Sequence, residues 1–180
     1  MGPTTYALCQ KPVIGVAMWI TSLCAFPPLF SEAPLALSVG GATISQAFKV
    51  RVDKRYGFDL GFDFPSVAAR LQDKVAGSTY NEYCRGDISY QDIPVAYREP
   101  LGHPIPLKVV VRRKSDNAVV FDRVFMTLCV FAHGENKKWR SIGGVDLVRG
   151  DYVAEITNLE SQSGLDGVKT YISLVAGHGK

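Results

Sequence analysis

The run FKVRVDKRYGFDLGFDF, Phe48 to Phe64, alternates with a period of two. Of its nine even-numbered positions, eight are apolar or aromatic and only Lys54 is not, while every odd position is charged or Gly. One buried face and one solvated face at that period make a half-buried β-strand. Seventeen residues exceed one ordinary strand, and the charged triplet Asp53-Lys54-Arg55 is the natural place to turn. The expectation is a hairpin with arms near 46–52 and 56–64. Its inward side chains, at roughly 1.5–3 kcal/mol each, would form much of a core. Gly57 and Gly61 fall on the outer face, where a glycine marks a bulge or a close approach. Asp59 and Asp63 share that face about 13 Å apart. That is too far for a glycosidase carboxylate pair or for one Ca²⁺. They read as solvated charges guarding an exposed sheet edge.

The rest of the chain repeats the strand signal with turns between. LALSVGGATISQA suggests an initial strand with a Gly40-Gly41 turn. IPLKVVVRR, then AVVFDRVFMTLCVF after KSDN, then RSIGGVDLVRGDYVAEITNL after HGENKKW, and finally KTYISLVAG supply the others. About seven to nine strands at this spacing form a β-sandwich. Leu147, Gly150 and Tyr152 stand in an L-x-x-G-x-Y spacing, which in such sandwiches places a tyrosine across a corner with its hydroxyl on backbone. One interruption is helical. SVAARLQDKVAG spaces Val67, Leu71 and Val75 along one face, with Ser66 as N-cap and Gly77 as stop.

The N-terminus is a sorting question. No charge falls between Lys11 and Glu32, and Pro27-Pro28 interrupts the apolar run VIGVAMWITSLCAFPPLF. An apolar stretch of about 14 residues before that break is short for a bilayer span and fits the apolar part of a secretory signal. Residues 1–36 are therefore assigned to a signal peptide or N-terminal anchor, and 37–180 to the sandwich. Ser31-Glu32-Ala33 and Ala36 offer alternative cleavage points, and Leu23 before Cys24 makes a poor lipobox. Soluble export, lipidation, retention as an anchor and a cytoplasmic chain with a buried first element stay open. Cys84 and Cys129 remain after cleavage. They form a disulfide candidate closing a 45-residue separation, the alternative being two buried thiols.

Composition narrows the function classes. A formal net charge of +3, from 20 bases and 17 acids along the chain, gives no clustered basic footprint for nucleic acid. Arg112-Arg113-Lys114 and Lys137-Lys138-Trp139-Arg140 are the densest basic groups, and both read as solvated turns or strand ends. The histidines, His103, His133 and His178, have no paired spacing of metal-binding type. No G-x-S-x-G, phosphate loop or CxxC occurs. No catalytic residue, cofactor or metal is assigned. Residues 78–104 lose periodicity and hold Tyr80, Tyr83, Tyr90 and Tyr97, four of the chain's eight tyrosines. Ordered loops of that length usually have a role, and tyrosine offers large contact area at low entropy cost. These four are the candidate binding residues. The competing reading is that they cover a sheet edge.

The order of motifs, from FDLGFDF through ARLQDKVAG, GHPIPLKVVVRR and VVFDRVF to VDLVRGDYVAEITNLE, resembles the bacterial domain-of-unknown-function family 5625 over residues 40–178. The resemblance implies an Ig-like β-sandwich, usually behind a signal or lipoprotein signal, and no assigned activity. The resulting expectation is a non-catalytic extracytoplasmic interaction domain, periplasmic or secreted, with membrane attachment through the N-terminus as a variant. Its partner would be another protein, a secreted toxin that it neutralises or an envelope component. The alternative is an enzyme or small-ligand carrier acting on envelope lipid or glycan. Polar groups converging in a cleft beside 78–104 would favour the latter.

Overall fold

The computed structural model describes residues 28–84 and 90–176. The apolar run through residue 27, with Cys9 and Cys24, and the tail with His178 lie outside the described residues. Two antiparallel sheets stack as a β-sandwich. The five-stranded sheet runs β1-β9-β3-β7-β6 and the four-stranded sheet runs β2-β8-β4-β5. The strands are β1 Phe30–Pro34, β2 Thr43–Val50, β3 Lys54–Asp63, β4 Ile105–Arg113, β5 Val119–Thr127, β6 Val130–His133, β7 Lys137–Leu147, β8 Gly150–Asn158 and β9 Lys169–Ala176. β1 falls within the segment 1–36, and it pairs with β9. Leu35 and Leu37, expected on a strand, follow β1 outside any strand and are buried.

The alternation of residues 48–64 is realised, but not as a hairpin. β2 pairs with β8 in one sheet, while β3 lies between β7 and β9 in the other. Arg51, Val52 and Asp53 carry the chain across the sandwich, and Lys54 and Arg55 already belong to β3. Either arrangement satisfies the same pattern, because the inward row reaches one shared core from either sheet. Phe48, Val50, Tyr56, Phe58, Leu60, Phe62 and Phe64 all enter that core. Phe48 stacks on Tyr152 at 5.7 Å between ring centroids. Two tyrosine corners close this end. The Tyr152 hydroxyl donates to the Val148 carbonyl at 2.9 Å, and Tyr56 does the same to Val52 at 2.8 Å. Asp53 ties the corners by accepting the Arg149 amide at 2.7 Å.

Because β3 is central, Asp59 and Asp63 do not guard an edge. Asp63 accepts from Asn136 Nδ2 at 2.8 Å and lies 3.9 Å from Lys137 Nζ. On the same face the Tyr171 ring occupies the space where a Cβ on Gly61 would sit.

The inserted helix, α1, spans Val67–Gln72, with the Ser66 hydroxyl accepting the Ala69 amide at 3.1 Å. It stops well before Gly77. The carboxylate of Asp73 takes the Val75 and Ala76 amides and so offers the backbone an alternative to another helical turn. The expected apolar face does not seat as a unit. Val67 and Leu71 are exposed, and only Val75, beyond the helix, is buried.

Candidate functional site

After α1, residues 73–84 and 90–104 lie in the connection from β3 of one sheet to β4 of the other. The segment contains short 3₁₀ turns at Glu82–Cys84, Tyr90–Asp92 and Glu99–Leu101 and a one-turn helix, α2, at Val95–Arg98. What holds it is the basic run that the sequence assigned to solvent. Lys138 and Arg140 alternate inward along β7 and are 2% and 0% exposed. The reading of Lys137–Arg140 as a solvated turn is therefore corrected for these two residues.

Arg140 uses all five of its guanidinium N–H donors on backbone carbonyls. Nε donates to Ala76 at 2.9 Å. Nη1 donates to His103 at 2.7 Å and Thr127 at 3.2 Å. Nη2 donates to Val75 at 2.6 Å and Leu101 at 3.3 Å. Burial pushes the guanidinium down to about 10, so it stays charged at neutral pH. The Phe62 ring packs 5.7 Å from its centre. Gly102, at φ 84°, is required beside it, because a Cβ there would collide with Arg140 Nη2 and the Val75 carbonyl. Next along β7, Lys138 Nζ meets Asp73 Oδ2 at 2.7 Å, both side chains nearly fully buried. Two cations on one strand thus fasten the near end of the segment, around 73–77, and its far end, around 101–103.

Between these anchors the segment makes its own small core from Ile93, Leu101 and Cys129, with Tyr83 and Tyr90 packed against it. Cys84 and Cys129 are joined by a disulfide, with their Cα atoms 6.0 Å apart. This ties the first 3₁₀ turn to the β5–β6 junction. Arg98 bonds the carbonyls of Ile93 and Gln91 and lies over the Tyr90 ring.

A cleft of about 300 Å³ opens here, with Tyr80, Tyr83, Tyr90, Met126, Leu128 and the disulfide among its walls. Three of the four candidate tyrosines line it. Tyr97 does not, but its ring contacts that of Tyr83 at 5.5 Å. The four differ in burial: Tyr80 and Tyr97 are about half exposed, whereas Tyr83 and Tyr90 pack on the small core. Met126, 59% exposed, extends the apolar surface onto β5. The sequence reading missed Met126. The signal for it was VVFDRVFM, which apart from Asp122 and Arg123 is apolar at both odd and even positions and so leaves apolar side chains on both faces of the strand.

His103 contributes its carbonyl to Arg140, and His133 is exposed on β6. Among the described residues, no three His, Cys, Asp or Glu side chains cluster to hold a metal. No helix among them is long and apolar enough to cross a membrane.

Residues 32–176 match a family model described as a domain of unknown function, DUF5625. The fold is also similar to a crystal structure of a protein from Sulfurospirillum deleyianum. The TM-score is 0.65 at 21% identity, over 86% of this chain and 100% of that one. No curated protein matches this chain.

Proposed function

The chain belongs to the DUF5625 family, and we propose that it acts as a non-catalytic, extracytoplasmic protein-interaction domain that seats a partner protein on the tyrosine cleft. The observation that carries this reading is the half-exposed pair Tyr80 and Met126 on a cleft braced by a disulfide and a buried arginine. Tyrosine and methionine are enriched at interfaces. Rigid aromatic side chains on a fixed frame lose little entropy on binding.

Two features support an extracytoplasmic compartment. A disulfide persists where the surroundings are oxidising, and the apolar run after Lys11 fits an export signal. The partner is a secreted toxin that the domain neutralises, or an envelope component.

A photo-crosslinking aromatic residue placed at Tyr80 tests this in the native host. A control at Thr157, on the outer face of β8, carries the same group. A single adduct formed at Tyr80, absent at Thr157 and lost when Tyr97 is also replaced by Ala, supports the reading. Equal labelling at both positions, or none at Tyr80, removes it.

A further inference from the structure

β1 is an edge strand of the five-stranded sheet, and its residues are the ones over which the sequence leaves the end of the leader open. They are built into the fold. The Leu29 amide donates to the Leu174 carbonyl at 2.8 Å, and the Leu35 amide to that of Thr170 at 3.0 Å. The Thr170 hydroxyl donates back to the Leu35 carbonyl. The Phe30 ring centroid lies 5.9 Å from that of Phe48 and 6.4 Å from that of Phe58. Ala33 and Leu35 are buried. Glu32 sits at φ 52°, a conformation that a non-glycine residue keeps only where its surroundings hold it. Here its amide donates to the Ser173 hydroxyl at 3.2 Å, and its carboxylate meets Lys137 Nζ at 3.1 Å.

These contacts bear on where a leader can end. Cleavage after Ala33 removes Leu29 and Phe30 with their contacts, and cleavage after Ala36 removes Leu35 as well. Either cut leaves β9, which carries the fully buried Ile172 and Leu174, as a bare sheet edge, an arrangement that invites pairing with another chain. The apolar run offers an earlier end. From Val13 to Cys24 it has twelve residues without a charge, within the roughly 7–15 that suit the apolar part of a signal. Ala25 follows, the last small residue before Pro27-Pro28, and a small residue is what the cleavage site requires. Leu23 stands two positions before it, where the pattern prefers a small side chain. Ser31-Glu32-Ala33 keeps that pattern but lies inside β1. The fold decides between the two, because the cut must spare the residues that the folded domain uses.

We propose that the leader is cleaved at the Ala25–Phe26 bond, so that the mature domain keeps β1. The step is hydrolysis by the peptidase of the export machinery. One water is consumed, Ala25 leaves with a carboxylate, and Phe26 gains a free α-amine. This cut rests on the extracytoplasmic reading above and is independent of the tyrosine cleft.

The test is N-terminal sequencing and intact mass of the full chain expressed in its native host, with wild type, Ala25→Phe and Ala36→Phe compared by cell fraction. The expected N-terminus of the exported protein is Phe26. Ala25→Phe is expected to accumulate uncut precursor, and Ala36→Phe, at an exposed position, to be cut as wild type is. An exported chain with any other N-terminus, Pro34 or Leu37 or a lipidated Cys24 included, overturns the Ala25–Phe26 cut and leaves the extracytoplasmic reading standing. So does processing that Ala36→Phe blocks or that Ala25→Phe leaves unchanged. An uncut chain confined to the cytosol overturns both. In the processed protein, Phe30→Ala is expected to lower the melting temperature by at least about 5 °C. An unchanged melting temperature would make β1 dispensable to the domain and remove the reason for the earlier cut.

Discussion

Arg140 Nη2 and the Val75 carbonyl lie 2.6 Å apart, joining the middle of a sheet to the start of the segment that carries the candidate cleft. The remaining four guanidinium bonds reach Ala76, Leu101, His103 and Thr127. One side chain therefore gathers three stretches of backbone that are far apart in sequence. Buried carbonyls need partners, and here a single charge contributes to five, alongside the His103 amide on Val75 and the Cys129 amide on Leu101.

Arg140→Ala takes a donor from each of these buried carbonyls, while Val75 and Leu101 each keep a backbone amide, from His103 and Cys129. The expected loss is about 3–5 kcal/mol, the range for breaking a buried charged network, measured by chemical denaturation. Hydrogen exchange is expected to rise at residues 75–103 before it rises in β3. Arg140→Lys keeps the charge but not the five-donor fork and falls between the two.

Asp73 and Lys138 behave as a unit. Asp73→Ala strands the buried ammonium and removes the acceptor for the Val75 and Ala76 amides, costing about 3–5 kcal/mol. Adding Lys138→Met to Asp73→Ala recovers part of that loss. A double-mutant cycle that comes out additive contradicts the pairing.

Cys84→Ser with Cys129→Ser opens a bridge spanning 45 residues. The expected cost is about 2–4 kcal/mol. The change concentrates in the small core around Ile93 and Leu101, so near-ultraviolet circular dichroism of the cleft tyrosines falls while far-ultraviolet strand signal holds.

Burial raises the Tyr171 hydroxyl above its ordinary value near 10, against the opposing pull of Lys137. The folded protein keeps the neutral phenol where the unfolded chain has begun to release its proton. The unfolded state thus binds fewer protons, and stability falls as pH rises through 10 toward the folded value. Below that window the group contributes no pH dependence. Tyr171→Phe is expected to flatten the alkaline fall between about pH 9 and 11, read from denaturation midpoints.

Much of the fold was legible because period-two alternation survives in one sequence. Val109 and Val111 on β4 and the Tyr152 corner sit where their spacing put them. The hairpin was misread because Phe48 and Phe58 face one core whether their strands share a sheet or oppose each other. Alternation fixes which face is buried and leaves the pairing partner open. Lys138 and Arg140 were misread because a basic run ordinarily stays in water. Their burial depends mostly on partners more than 30 residues away, the Asp73 carboxylate for Lys138 and four of the five carbonyls for Arg140, which no local window contains. Ile142 continues their inward row, and Gly143-Gly144 then shifts it to Val145 and Leu147. That broken parity was the available sign. The loss of periodicity over 78–104 singles out the four tyrosines without ranking them, and only the folded segment separates exposed Tyr80 and Tyr97 from Tyr83 and Tyr90.

The measurement that bears most directly on the cleft pairs calorimetric affinity for the crosslinked partner with melting temperature for Tyr80→Ala and Tyr97→Ala. The account predicts that Tyr80→Ala weakens binding at least tenfold with its melting temperature within about 2 °C of wild type, consistent with an exposed anchor residue. Unchanged affinity with a markedly lower melting temperature would make these tyrosines part of the packing and contradict the proposed interface.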